Sequence, residues 1–191
     1  MREKLLQASQ RLANRLQNVD ALRQGLLDAN AQLTNSSADA LTELEQATLL
    51  PELLELSIAK GLSAEVAIEG VGVLTVKREE SYRRFEKRAE EVSIDLKGPS
   101  GDNLVSGHLR RYEAIDGQSN SLKVSYGDSS IRGYITKGSD GYSASVSEQE
   151  KTANEPLEPG LSIMTEEAGS TKITTRRRSQ AFDINGNPIN S

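Results

Sequence analysis

The chain of 191 residues contains no cysteine and no tryptophan, a single histidine, and only 4% aromatic residues. Without cysteine there are no disulfide staples, thiolate metal sites or cysteine nucleophiles. His108 is too solitary for a paired-histidine zinc motif. A triad would need it beside a serine and a carboxylate in three dimensions, and no nucleophile-elbow pattern is present. Phosphate-cradling loops ending in Lys-Ser or Lys-Thr and dinucleotide fingerprints are also missing. Long apolar runs are absent: every apolar window is broken within a few residues by Glu, Lys or Gly, whereas a spanning helix needs roughly 20 apolar residues. Residues 1–34 interleave Arg, Asn, Gln and Asp with leucine, unlike the unbroken centre of a signal peptide. The expectation is a soluble, non-enzymatic protein with no cofactor, no metal and no membrane partner, its compartment left open.

An excess of positive charge is lacking too. The net charge of −5 argues against a protein that coats nucleic acid generally. The distribution is uneven. Residues 1–34 hold five positive and three negative side chains, net +2; residues 35–63 hold one positive and five negative, net −4. Neighbouring segments are thus electrostatically complementary. A hydrophobic fraction of 36% is thin for one large core, which favours an elongated or multi-part architecture.

Leucine at helical spacing is what the chain has in quantity. Leu5, Leu12, Val19, Leu26 and Leu33 recur every seventh residue, with Ala8, Leu16, Leu22 and Ala29 between them. This predicts a long amphipathic helix over residues 1–34. Gly25 weakens it by about 1 kcal/mol relative to alanine. Asn35-Ser36-Ser37 breaks the pattern, and Ser37 is placed to cap a second helix carrying Leu41, Leu44 and Ala47. Pro51 opens a further helical piece that Gly61 ends. Residues 1–62 therefore read as a helical hairpin with a broken second arm. Its leucines exceed what two helices can hide, and two receptors fit: the chain's own β-region, or a second copy docked through Leu5, Leu12, Leu16, Val19, Leu22, Leu26 and Leu33. The second gives a homo-oligomer.

After Gly61 the period becomes two. Val66 and Ile68 alternate, and Gly70 and Gly72 flank a run in which Val71 and Val73 oppose Leu74 and Val76, as in a strand covered on both faces; the glycines mark a bulge or a close backbone approach. Short alternating strands separated by Gly-, Asp- and Asn-rich turns follow up to Val146. The fold class is α+β: an N-terminal helical hairpin or coiled coil, then an antiparallel β-meander or small sandwich over 63–147. Residues 148–160, polar and twice interrupted by proline, read as a linker, and 161–191 as a C-terminal β-hairpin or tail. From Ser170 the tail is net +3, against −5 over Ser147 to Glu167, so the two are expected to dock with Ile173 and Thr175 buried. Tyr126, Tyr134 and Tyr142, eight residues apart, reflect equal strand lengths. Asp183, Asn185 and Asn187 have the spacing of a calcium loop, but the chain ends before the glutamate such a loop needs; an Asn-Gly hairpin turn is the simpler reading.

The stretch "VAIEGVGVLTVKR" resembles the sheet entry of HU-type DNA-bending proteins, V-x-I-x-G-F-G-x-F-x-V-[KR]. Val66, Ile68, Gly70, Gly72, Val76 and Lys77 match, while Val71 and Leu74 stand where that family has phenylalanine. The family's Arg-Asn-Pro-x-Thr-Gly tip, which wedges the minor groove, has no counterpart; Gly98-Pro99-Ser100-Gly101 stands in its region. The resemblance covers under twenty residues, and no family is assigned on it.

Lys77 to Glu91 carries six positive and five negative side chains. Interleaved signs favour a solvated, internally paired element over a phosphate grip, which needs an excess of one sign. The leading expectation is an assembly or structural protein, a subunit of a particle, filament or secretion-type machine, that oligomerises through its helices and presents a β-rich surface to other protein subunits. The alternative is a nucleic-acid-binding module using Lys77, Arg83, Arg84, Lys87, Arg88, Arg110, Arg111, Arg176, Arg177 and Arg178.

Overall fold

The leucine stripe does fold as helix, but in two pieces. The computed structural model of the protein describes residues 2–35, 37–81, 89–114, 117–127, 130–151, 162–168 and 171–189. Helix α1 (Arg2–Arg15) passes through a 3-10 turn (Leu16–Asn18) into α2 (Val19–Thr34). Asn18 leaves helical geometry (φ −123°, ψ 79°), and its side chain accepts from the Ala21 amide at 3.1 Å, capping α2. The single long helix expected from the heptad stripe is therefore corrected to a kinked arm. The second arm is α3 (Asp39–Ala47) and α4 (Leu50–Ile58), broken at Leu49, which sits in the left-handed region at φ 61°. Ser37 accepts from the Asp39 amide at the start of α3, and Pro51 lies in the first turn of α4. The arms form a hairpin in which α1 lies against α4 and α2 against α3. The complementary charges of the two segments meet there: Arg11 pairs with Glu55, and Arg15 with Glu52 at 3.1 Å.

Among the described residues that follow there is one antiparallel sheet of ten strands: β1 (Ser63–Ile68), β2 (Gly72–Ser81), β3 (Ala89–Lys97), β4 (Asn103–Ala114), β5 (Gly117–Tyr126), β6 (Ile131–Lys137), β7 (Tyr142–Lys151), β8 (Ser162–Ala168), β9 (Thr171–Phe182) and β10 (Pro188–Ile189). Strands β1 to β7 form a meander; β9 then pairs with β7 along one edge and with β8 and β10 along the other. The fold is α+β, and the β-region is a meander rather than a sandwich. Strand β7 continues through Lys151, four residues into the expected linker, whose remainder at 152–160 lies outside the described residues. The tail pairs with β7 as a strand, with Arg176 opposite Glu148; Thr175 is half-buried, and the side chain of Ile173 lies outside the described residues.

Register sorts the side chains into two faces. Across successive strands Val76, Ile94, Gly107, Val124, Gly133 and Val146 stand opposite one another, as do Leu74, Leu96, Val105, Tyr126 and Ile131. These rows face the helices and share one buried cluster with Leu5, Leu12, Leu16, Leu26, Leu44, Leu53 and Leu56. Helical and β regions therefore share a core, each buried leucine contributing about 1.5–3 kcal/mol. Strand β2 is covered on one face only: Leu74 and Val76 are fully buried, whereas Val73 is exposed. Gly70 (φ 75°) belongs to the β1–β2 turn, and at Gly72 a Cβ would sit 1.9 Å from the Lys97 carbonyl oxygen, so these glycines serve a turn and a close approach.

Polar groups pin the helices to this face. The residue four beyond Ala47 is Pro51, which has no amide to offer the Ala47 carbonyl. The buried Tyr126 hydroxyl donates to that carbonyl instead, at 2.5 Å. Arg78 donates through Nε to the Ser57 carbonyl near the end of α4 at 2.9 Å, and Asn30 of α2 donates to Glu148 of β7 at 2.8 Å. At Gly133 the helices press on the sheet: a Cβ there would lie 2.6 Å from Thr48 Cγ2 and 2.9 Å from Leu26 Cδ1.

Burial holds the Tyr126 phenol above its ordinary range, with Arg15 opposing and Glu52 reinforcing the shift. The folded chain thus keeps the proton longer than the unfolded chain, so this stabilisation is intact below about pH 10 and is lost as pH rises further. Tyr126→Phe should cost about 1–3 kcal/mol at neutral pH, since it orphans a buried carbonyl, and the gap to wild type should narrow above the phenol range. Urea unfolding across that pH series checks both. Gly133→Ala should cost about 1–3 kcal/mol through overpacking, while Gly138→Ala, with nothing within 4 Å of its Cβ, should be close to neutral in the same assay.

Candidate functional site

Strand parity determines where each expected site residue goes. Of the proposed oligomer interface, Leu5, Leu12, Leu16 and Leu26 are completely buried, Leu22 and Leu33 nearly so, and Val19 partly, all within this chain. The stripe takes the chain's own sheet as its receptor, because the kink at Asn18 lets both halves follow that sheet.

The basic residues divide between the two faces. Lys77, Arg110 and Arg177 stand on the outer face of the sheet, away from the helices. Arg111, Arg176 and Arg178 fall on the inner face; Arg111 donates to Gln118 at 2.8 Å, and Arg178 shares a row with the buried Val146. Arg83, Arg84, Lys87 and Arg88 lie outside the described residues, while Lys77–Ser81 and Ala89–Glu91 on either side are strand. Of the six described positions, three stand on each face of the sheet.

The outer face contains a different surface, which sequence reasoning missed. Its β4 positions from Ser106 are Ser106, His108, Arg110 and Tyr112, and its β5 positions are Ser119, Ser121, Lys123 and Ser125. Strand β6 adds Arg132, Tyr134 and Thr136, β7 adds Ser143, Ser145, Ser147 and Gln149, and the described side chains of β9 there are Thr175, Arg177, Ser179 and Ala181. No carboxylate stands on this face among the described residues of those five strands. With strands about 4.8 Å apart, the face is roughly 20 Å wide. Its acidic border is β3, where Glu91 lies 3.5 Å from both His108 Nε2 and Arg110 Nε.

Beyond that border the cations have no acidic partner among the described residues. Arg177 lies over the Tyr134 ring at 5.1 Å and donates to the Ser145 hydroxyl at 3.0 Å. Arg132 Nε is buried and has no hydrogen-bond partner among the described residues. These long side chains lie across a carpet of serines, which is why Ser125, Ser145 and Ser147 are buried on the outward face. The signal for this surface lay in small polar residues at every second position of β5 and β7, together with Lys123, Arg132 and Tyr134.

The helical layer presents the opposite sign. A groove of about 600 Å³ opens between α1, α2 and α3, lined in part by Ala21, Gly25 and Ala47 and flanked by Asp28 and Glu43. Over residues 19–47, Asp20, Asp28, Asp39, Glu43 and Glu45 face one cation, Arg23, net −4. A smaller cavity of about 300 Å³ lies under α4, between Pro51, Leu54, Leu122 and Tyr142; Glu45 on its wall is held above the ordinary carboxylate range by burial, an effect opposed by Lys137. Among the described residues no group of three or more acidic or histidine side chains is placed to hold a metal, and no helix is long and apolar enough to cross a membrane. Asp183 closes the β9–β10 turn by accepting from the Asn185 and Asn187 amides at 2.9 Å; these bonds, Asn187's foremost, hold its carboxyl below the usual range.

No protein-family model matches the chain, no curated protein matches it, and no solved structure matches it.

The two placements of the leucine stripe have different consequences. Leu12→Glu should leave an unpaired charge in the shared core at about 3–5 kcal/mol and erase the cooperative unfolding transition. Leu6→Glu, at a position 41% exposed, should stay within about 0.5 kcal/mol of wild type. Far-UV circular dichroism with thermal unfolding reads both.

Proposed function

We propose that this protein is a non-enzymatic assembly protein whose working surface is the outer face of its sheet. The observation that supports this is that the described residues of β4–β7 and β9 place no carboxylate on this face, with Lys123, Arg132 and Arg177 on a bed of serine and threonine. A flat polar face with cations along one side is suited to docking a broad acidic surface, and its long side chains already lie flat over the sheet. The helices serve this role indirectly. By covering the apolar face they leave the sheet only one surface to present.

A second reading, a nucleic-acid-binding module, draws support from two arginine–tyrosine stacks on the same face, Arg177 over Tyr134 and Arg110 over Tyr112. Such stacks offer planar surfaces to unpaired bases. The net charge of −5 opposes it, because long-range repulsion would slow the approach of a polyanion.

Light scattering separates the two. At tens of micromolar and low salt, the mass of the protein alone should exceed 20.8 kDa, fall on adding salt, and be unchanged by a single-stranded oligonucleotide. A protein that is monomeric alone and gains mass only with the oligonucleotide would establish the second reading instead.

A further inference from the structure

The two charged surfaces lie on opposite sides of one molecule: the basic sheet face looks away from the helices, and the acidic groove opens on the solvent side of the helical layer. Such a pair cannot be satisfied within one chain. Resting on the assembly reading above, we infer that the occupant of the sheet face is the α2–α3 groove of a second copy, so that copies stack head to tail.

The chemistry of the two surfaces is complementary in kind as well as in sign. The groove floor is made of small side chains at Ala21, Gly25 and Ala47, with room above them for a long side chain, and Asp28 and Glu43 stand at its margins. An arginine or lysine needs such a site, with an apolar trough for its stem and carboxylates for its head. Lys123, exposed on the sheet face, and the part-exposed Arg132 on the neighbouring strand are the donors it offers. Asp28 is held by a hydrogen bond from Gln24 at 3.0 Å, which leaves its second oxygen available. The one cation among the groove-lining residues, Arg15, is occupied by Glu52 and by the Gln46 carbonyl. Nucleic acid is the poorer fit, since three cations without acidic partners among the described residues give little counterion release and the same chain already carries a matching acidic surface.

The contact joins two different patches, so it is heterologous. Repeating it yields a ring where the rotation closes and an open filament where it does not. The number of copies should therefore rise with concentration rather than stop at two.

Charge reversal tests the pairing. A sheet-face variant, Lys123→Glu with Arg132→Glu, and a groove variant, Asp28→Lys with Glu43→Lys, should each fall to the monomer mass of 20.8 kDa while keeping the wild-type circular dichroism and unfolding midpoint. Mixed in equal amounts, they should regain mass, because the reversed sheet face of one suits the reversed groove of the other. A groove variant that assembles like wild type while the sheet-face variant does not would overturn the head-to-tail pairing and leave the assembly reading standing. Wild type that stays monomeric at tens of micromolar would overturn both. If a variant misfolds, the milder Arg132→Gln and Asp28→Asn, each expected to weaken association severalfold in sedimentation equilibrium, provide the same test; an unchanged constant in either would reject the pairing.

Discussion

Ten antiparallel strands with apolar side chains at alternate positions create one face that water must not reach, and two helical arms are what the chain has to cover it. The rest of the architecture follows from that covering. The arms must approach closely, so β6 carries Gly133 where Thr48 and Leu26 press on the sheet. They must also follow a surface that is not straight, because sheets twist, and a straight seven-residue stripe of nearly five heptads would depart from it. The breaks at Asn18 and Leu49 divide each arm into two short helices, and each break creates helix ends whose backbone groups need partners. Asn18 supplies its own cap, whereas the second break orphans the Ala47 carbonyl and the sheet answers with Tyr126.

Covering one face also explains the character of the other. Strands buried on a single side keep polar residues on the opposite side, and here those are mostly serine and threonine with a few long cations. Serine is small enough for Arg132, Arg177 and Tyr134 to lie across it, and this produces buried hydroxyls on a solvent-facing surface. Polar alternation is a general requirement; the absence of carboxylates from this face among the described residues of five strands is not, and it separates this face from an ordinary solvated one. On the helical layer, five acidic residues stand against one cation over residues 19–47.

Much of the fold was legible because the signals were local. The change of period after Gly61, the capping serine at Ser37, the proline opening α4 and the Asn-Gly turn of β9–β10 all depend on residues within a few positions of one another. The interaction surfaces were less legible. Arg176, Arg177 and Arg178 read as one cluster, yet strand alternation sends Arg177 outward and its two neighbours inward. Lys123 and Arg132 never read as a pair, because they lie on different strands and become diagonal neighbours on one face only through the register of β5 with β6.

By itself the sequence determined that helices come first and strands after, where most elements begin, and that the core would be built from leucine, valine and isoleucine at those two periods; these depend on the preferences of short segments of chain. What covers the leucine stripe was decided only by the tertiary structure. A stripe of that spacing is equally suited to a second helix of another copy and to a sheet of the same chain, and here its leucines share one buried cluster with sheet residues far away in sequence while Asn30 of the same arm donates to Glu148. The same packing turned scattered lysines and arginines into a face and opposed it to a groove, because a surface charge pattern exists only once strands are in register and one side of the sheet has been taken by the helices.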